Sequence, residues 1–130
     1  MRPLSPVGGE AVTRLCADVA ARGVRPDVVW HSGKLRARQT AELLWRATNP
    51  LAELSATRGL QPDDPPGWMR DRLAGETRTI ALVGHMPHLA RLLHTLQGRP
   101  SGEPASDFPL YGCVALEAEG QGWREVWRAP

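Results

Sequence analysis

Two short stretches hold most of the residues that could do chemistry. The first is His31-Ser32-Gly33-Lys34-Leu35-Arg36, and the second is Gly84-His85-Met86-Pro87. Each follows a short apolar run and precedes a segment with helical periodicity, so each reads as a strand-to-helix turn. In open α/β sheets, ligands bind at the carboxyl ends of the strands, where helix N-termini aim backbone N–H groups at anions. Together the two turns offer a guanidinium fork, an ammonium, a hydroxyl, imidazoles and two helix starts. That set suits a phosphate better than a neutral ligand.

Other reactive residues fit simpler roles. His85 and His88 are three apart, but no carboxylate or cysteine completes a ligand set around them and Pro87 intervenes, so no metal site is expected. Asp64 reads as the cap of a short helix that follows Pro65, and proton donation by Asp63 or Asp64 is a minor alternative. Cys113 lies in a strand with nothing in its neighbourhood to lower its pKa, and reads as a small buried residue. Trp30, Trp45, Trp68, Trp123 and Trp127 are dispersed, as packing residues are, and not clustered as a base-stacking platform would be.

The elements that must position the two turns follow from periodicity and punctuation. Ser5 caps a first helix with Pro6 at its first position, Val12, Leu15, Cys16 and Val19 on one face, and Gly23 as its stop. Asp27–Trp30 reads as a buried strand. A second helix runs through Leu35, Gln39, Leu43, Leu44 and Ala47, ending at Asn49-Pro50. The turn-rich run 61–67 leads into a short helix to Leu73, and Thr79–Val83 is a second buried strand. Leu89, Leu92, Leu93 and Leu96 mark a helix from His88. A Gly/Pro/Ser-rich loop spans Gly98 to Pro109, and Leu110–Leu116 with Trp123–Trp127 form a hairpin turning at residues 119–122.

This is an α/β layout, expected as a single domain over residues 1–130. One feature of it is unusual. The chain opens with a helix, yet a parallel sheet is normally built of βαβ units, so the topology predicts that a leading strand is missing.

Composition narrows the setting. The 130 residues are 42% hydrophobic and 23% charged, close to the soluble globular average. Sixteen basic side chains, with Lys34 the single lysine, face fourteen acidic ones for a net charge of +2, which excludes a nucleic-acid binder working by counterion release. Runs such as Ile80–Val83 are far too short to span a bilayer, and residues 1–5 lack the apolar core of a signal peptide. Cys16 and Cys113 are too few for a disulfide scaffold, and a cytoplasmic home is expected.

The motifs resemble one family. The run His31-Ser32-Gly33-Lys34-Leu35-Arg36-Ala37-Arg38-Gln39-Thr40-Ala41-Glu42 is similar to the Ser-x-x-x-Arg-Ala-x-Gln-Thr-Ala signature of the histidine phosphatase (phosphoglycerate-mutase-like) superfamily. Ile80 to Pro87 resembles its second-histidine motif. Arg2-Pro3-Leu4-Ser5-Pro6-Val7-Gly8 resembles the Arg-Pro-Leu-Thr-x-x-Gly stretch of its SixA-type phosphohistidine phosphatase branch. The resemblance spans nearly the whole chain and implies a three-layer α/β/α sandwich with a C-terminal hairpin. It also implies hydrolysis of a protein phosphohistidine or a small phosphomonoester through a phosphohistidine enzyme intermediate, without metal or organic cofactor, nucleic acid or membrane.

By the same resemblance Arg36 clamps the phosphate and His85 is the second histidine, with Ser32, His31 and Lys34 as substrate-binding residues. For His31 a pocket wall and a plain loop role stay equally open. The sequence departs from the pattern at one decisive point. It contains no Arg-His-Gly, so the nucleophilic histidine is absent and its strand, the first and central one, is the strand the topology lacks. The chain is therefore expected to be N-terminally truncated and inactive or nearly so. The alternative is a non-catalytic phosphate or phosphoprotein binding module. A sugar-phosphate mutase is disfavoured by the short chain.

Overall fold

The computed structural model describes residues 2–100 and 107–130. Four helices and five strands follow one another as α1 (Pro6–Ala21), β1 (Val28–His31), α2 (Leu35–Thr48), β2 (Glu53–Ala56), α3 (Pro66–Leu73), β3 (Ile80–Val83), α4 (His88–Leu96), β4 (Cys113–Glu119) and β5 (Gly122–Ala129). Ser5 caps α1, its Oγ accepting the Gly8 N–H at 3.0 Å, and Gly23 past the helix end adopts φ +79°, a left-handed geometry that suits glycine.

β1, β2 and β3 form a parallel sheet in the order β2-β1-β3, and β4 pairs antiparallel with β5. All four residues of β1 are buried, as expected of a strand paired on both edges and covered on both faces. Alternation sorts their side chains. Val28 and Trp30 join Leu60, Met69, Leu73, Leu92 and Leu96 under α3 and α4, while Val29 joins Ala37, Ala41 and Val83 under α2. β3 splits likewise, with Ile80 and Leu82 toward α4 and Ala81 and Val83 toward α2. α1 packs beside α2, and Leu116 and Trp123 of the hairpin pack on the α3/α4 side of the core. The result is three layers, α/β/α, with the sheet in the middle.

Three sequence expectations change. β2 was not anticipated, because Glu53-Leu54-Ser55-Ala56 is short, half polar and sits at the sheet edge, where pairing with β1 and not local propensity makes the strand. Asp64 does not cap α3, whose first flanking residue is Pro65 with no side-chain cap. Its Oδ2 instead accepts the Gln61 N–H at 2.9 Å, closing the turn before the helix. The first hairpin strand begins and ends three residues later than expected, the second begins one residue earlier and ends two later, and half of the loop read over Gly98 to Pro109, residues 101–106, lies outside the described residues. β3 pairs with β1 alone among the described residues, so its other edge carries no strand there.

Candidate active site

The register of the parallel sheet builds the site. His31 at the end of β1 lies opposite Val83 at the end of β3, so Ser32 and Gly84 leave the sheet side by side. The next residue, His85, then meets Ser32 across the gap, with Ser32 Oγ 2.6 Å from His85 Nε2. Neither side chain could be paired with the other from local sequence, since 53 positions separate them.

Each partner is held from behind. The Ser32 carbonyl accepts the Gln61 side-chain amide at 2.6 Å, and Ser32 Oγ also accepts the Lys34 N–H at 3.3 Å. The carbonyl of His85 accepts the Leu89 N–H at 2.9 Å, tying the turn to the first residues of α4. Gly33 between the two groups has φ +89°, which a residue with a Cβ adopts only with strain.

Lys34 and Arg36 supply positive charge. Both are exposed, and no ion pair among the described residues engages either. Burial holds His85 below the ordinary histidine pKa, with Lys34, His88 and Arg36 pushing the same way, so its imidazole is neutral at neutral pH. A neutral ring beside free cations is a receptive setting for an oxyanion.

The structure thus brings together Ser32, Lys34, Arg36 and His85. His31 goes elsewhere. It is buried at the end of β1 on the same face as Val29, toward α2; its Nδ1 accepts the Gly33 N–H at 3.0 Å, and burial and then Arg38 lower its pKa, with Glu42 opposing. Gln61 was not singled out as a site residue, and no local signal could have done so, because its contact with Ser32 depends on β2 lying next to β1. Among the described residues no group of three or more histidine, cysteine or acidic side chains is gathered as a metal site, and no helix is long and apolar enough to cross a membrane. Burial raises the thiols of Cys16 and Cys113 to a pKa of about 11, which makes them poor nucleophiles.

A parallel sheet between two helical layers, with an imidazole and two cations that no ion pair among the described residues engages at the carboxyl ends of its strands, defines an open three-layer α/β class. Within that class, the fold is the one seen in SixA structures. The structure of the protein histidine phosphatase SixA complexed with tungstate matches with a TM-score of 0.84 at 20% identity, covering 98% of this chain and 83% of that one. A protein assigned as the phosphohistidine phosphatase SixA of Agrobacterium tumefaciens matches with a TM-score of 0.77 at 23% identity, covering 99% and 83%. No family model and no curated protein matches the sequence.

Proposed function

We propose that this is a member of the histidine phosphatase superfamily, of the SixA type, whose two strand-to-helix turns bind the phosphoryl group of a protein phosphohistidine or a small phosphomonoester in the cytoplasm. The observation that carries this reading is the convergence of Arg36, Lys34 and Ser32 on His85 from turns 53 positions apart. Tungstate is a tetrahedral oxyanion like phosphate, and its presence in a protein of the same fold supports the same ligand class here. Arg36 presents a fork that matches two phosphoryl oxygens, and His85 donates a hydrogen bond to a third once the nearby anion has raised its pKa and the ring has taken up a proton from solvent.

The hydrolytic route of the superfamily runs through a phosphohistidine, and its first step needs a histidine placed in line with the leaving group. None of the four histidines stands between arginine and glycine. A strand bearing Arg-His-Gly has one place in the parallel sheet beside His85, the edge of β3 that no strand among the described residues pairs, since β1 is already paired on both sides. These 130 residues by themselves therefore bind phosphate without turning it over. The binding-module reading rests on this same absence.

Titration with inorganic phosphate, followed by amide shifts, tests the proposal. The expected result is saturable binding centred on residues 32–36 and 84–88, weakened at least 10-fold by Arg36→Ala and little changed by Arg38→Ala, with no acid-labile phosphoenzyme. Binding indifferent to Arg36→Ala overturns the site. Steady turnover of p-nitrophenyl phosphate overturns the expectation of inactivity.

A further inference from the structure

Among these 130 residues no histidine stands between arginine and glycine, but the site they form does not lack a nucleophile. A serine hydroxyl attacks poorly unless a base in hydrogen-bond reach takes its proton. Ser32 Oγ and His85 Nε2, at 2.6 Å, meet that requirement. The Lys34 N–H already donates to Oγ at 3.3 Å. The hydroxyl's own proton is then left for Nε2, with the ring proton on Nδ1. Both residues have anchored backbones, Ser32 through Gln61 and His85 through Leu89. The depressed pKa of His85 keeps the ring in its base form at neutral pH.

We infer that Ser32 and His85 form a nucleophile–base pair, and that the Ser32 hydroxyl accepts the phosphoryl group from a reactive donor such as a phosphoramidate or an acyl phosphate. The inference rests on the phosphate-binding reading above. In the step, the Oγ–P bond forms as the P–N or P–O bond to the leaving group breaks. The hydroxyl proton passes to His85 Nε2 and from the imidazolium to solvent, while the leaving group departs on the far side of phosphorus, either as an amine whose nitrogen was already protonated in the donor or as a carboxylate that needs no proton. The products are phosphoserine at position 32, the free amine or carboxylate, and one proton released to solvent. Lys34 and Arg36 neutralise the charge carried by the three phosphoryl oxygens.

The same geometry stops the reaction there. Hydrolysis of the phosphoserine needs a water in line on the side of phosphorus away from Oγ, and His85 stands on the Oγ side. No second base is positioned for that water by the residues that form the site. The chain takes up one phosphate and keeps it.

Incubating the intact chain with phosphoramidate and mapping the adduct by mass spectrometry tests this. The expected product is one phosphate per chain, on Ser32, stable to acid and labile to alkali. Ser32→Ala abolishes it, and His85→Gln slows its formation by about 100-fold or more. His85→Ala with added imidazole recovers part of the rate, which a purely structural role for the ring does not allow. Should Ser32→Ala fail to fold, the His85 variants carry the same test. An acid-labile adduct, an adduct on another residue, or no adduct in a chain whose phosphate binding depends on Arg36 overturns the pair alone. Failure of the unmodified chain to bind phosphate overturns the site reading beneath it.

Discussion

Gln61 donates its side-chain amide to the Ser32 carbonyl at 2.6 Å, fastening the loop after β2 to the turn after β1. The bond joins two segments 29 positions apart and fixes the backbone from which the Ser32 hydroxyl reaches His85. Gln61 is itself set by Asp64, which accepts its N–H at 2.9 Å, and by the fully buried Leu60 before it.

Removing that amide should loosen the turn without touching the ligand. Gln61→Ala leaves the Ser32 carbonyl without its side-chain donor, at a cost of about 1 kcal/mol in urea unfolding. Phosphate binding should weaken by roughly 3- to 10-fold through lost preorganisation, which corresponds to about 0.7–1.4 kcal/mol. Unchanged affinity would mean that Ser32 is held well enough by the Lys34 N–H and the sheet.

The pH dependence of anion binding follows from the charge on His85. Burial, Lys34, His88 and Arg36 all lower its pKa from the ordinary 6.5. A bound dianion opposes these cations and raises that pKa, so the complex takes up a proton that the free protein refuses. By linkage, affinity must rise as pH falls below the ordinary histidine range. Sulfate, which does not itself titrate near neutrality, should bind more tightly at about pH 5.5 than at about pH 7.5, and His85→Ala should flatten the difference. A slope that survives His85→Ala would place the coupled proton elsewhere.

Much of this arrangement was legible in the sequence, and the part that was not shares one physical origin. The caps of α1, the buried strands β1 and β3 and the helix from His88 announce themselves by local pattern, and the two turns that bear Ser32, Lys34, Arg36 and His85 follow from those elements. β2 does not, because Glu53–Ala56 is a strand only by virtue of its pairing with β1. Gln61 inherits the same difficulty, since its position depends on β2. Asp64 misled for the opposite reason, as its local context before Pro65 is that of a helix cap while its carboxylate closes the preceding turn. His31 belongs to the strand and not to the loop, and the parity of β1 then points it to the α2 face.

The hairpin depends on a close approach that only glycine permits. A Cβ at Gly112 would lie 2.3 Å from Pro109 Cγ and 2.7 Å from the Ala129 carbonyl oxygen, at the first rung of the β4–β5 ladder. Neither a proline ring nor a strand carbonyl can step aside. Gly112→Ala should therefore destabilise the protein by about 1–3 kcal/mol, with faster amide exchange in Cys113–Ala115 and Trp127–Ala129 than elsewhere in the sheet. An unaltered unfolding midpoint would show that the segment before β4 can be repositioned freely.

His88 is fully buried at the start of α4, with neither ring nitrogen hydrogen-bonded among the described residues. Burial lowers its pKa, Arg91 adding to the effect and Asp64 opposing it, so the folded protein holds the ring neutral. Because the unfolded chain binds a proton that the folded one refuses, this residue makes stability fall as pH drops below the ordinary 6.5 toward its depressed value. His31 and His85 are depressed in the same direction and add to the slope. His88→Leu replaces two unpaired polar atoms by an apolar group of similar size. It should stabilise the protein at neutral pH by about 1–3 kcal/mol and raise Tm by at least about 3 °C. It should also reduce, without abolishing, the loss of stability between about pH 7.5 and pH 5.5. A destabilised His88→Leu with an unchanged acid slope would mean that the imidazole has a bonded partner in solution and titrates like an exposed ring.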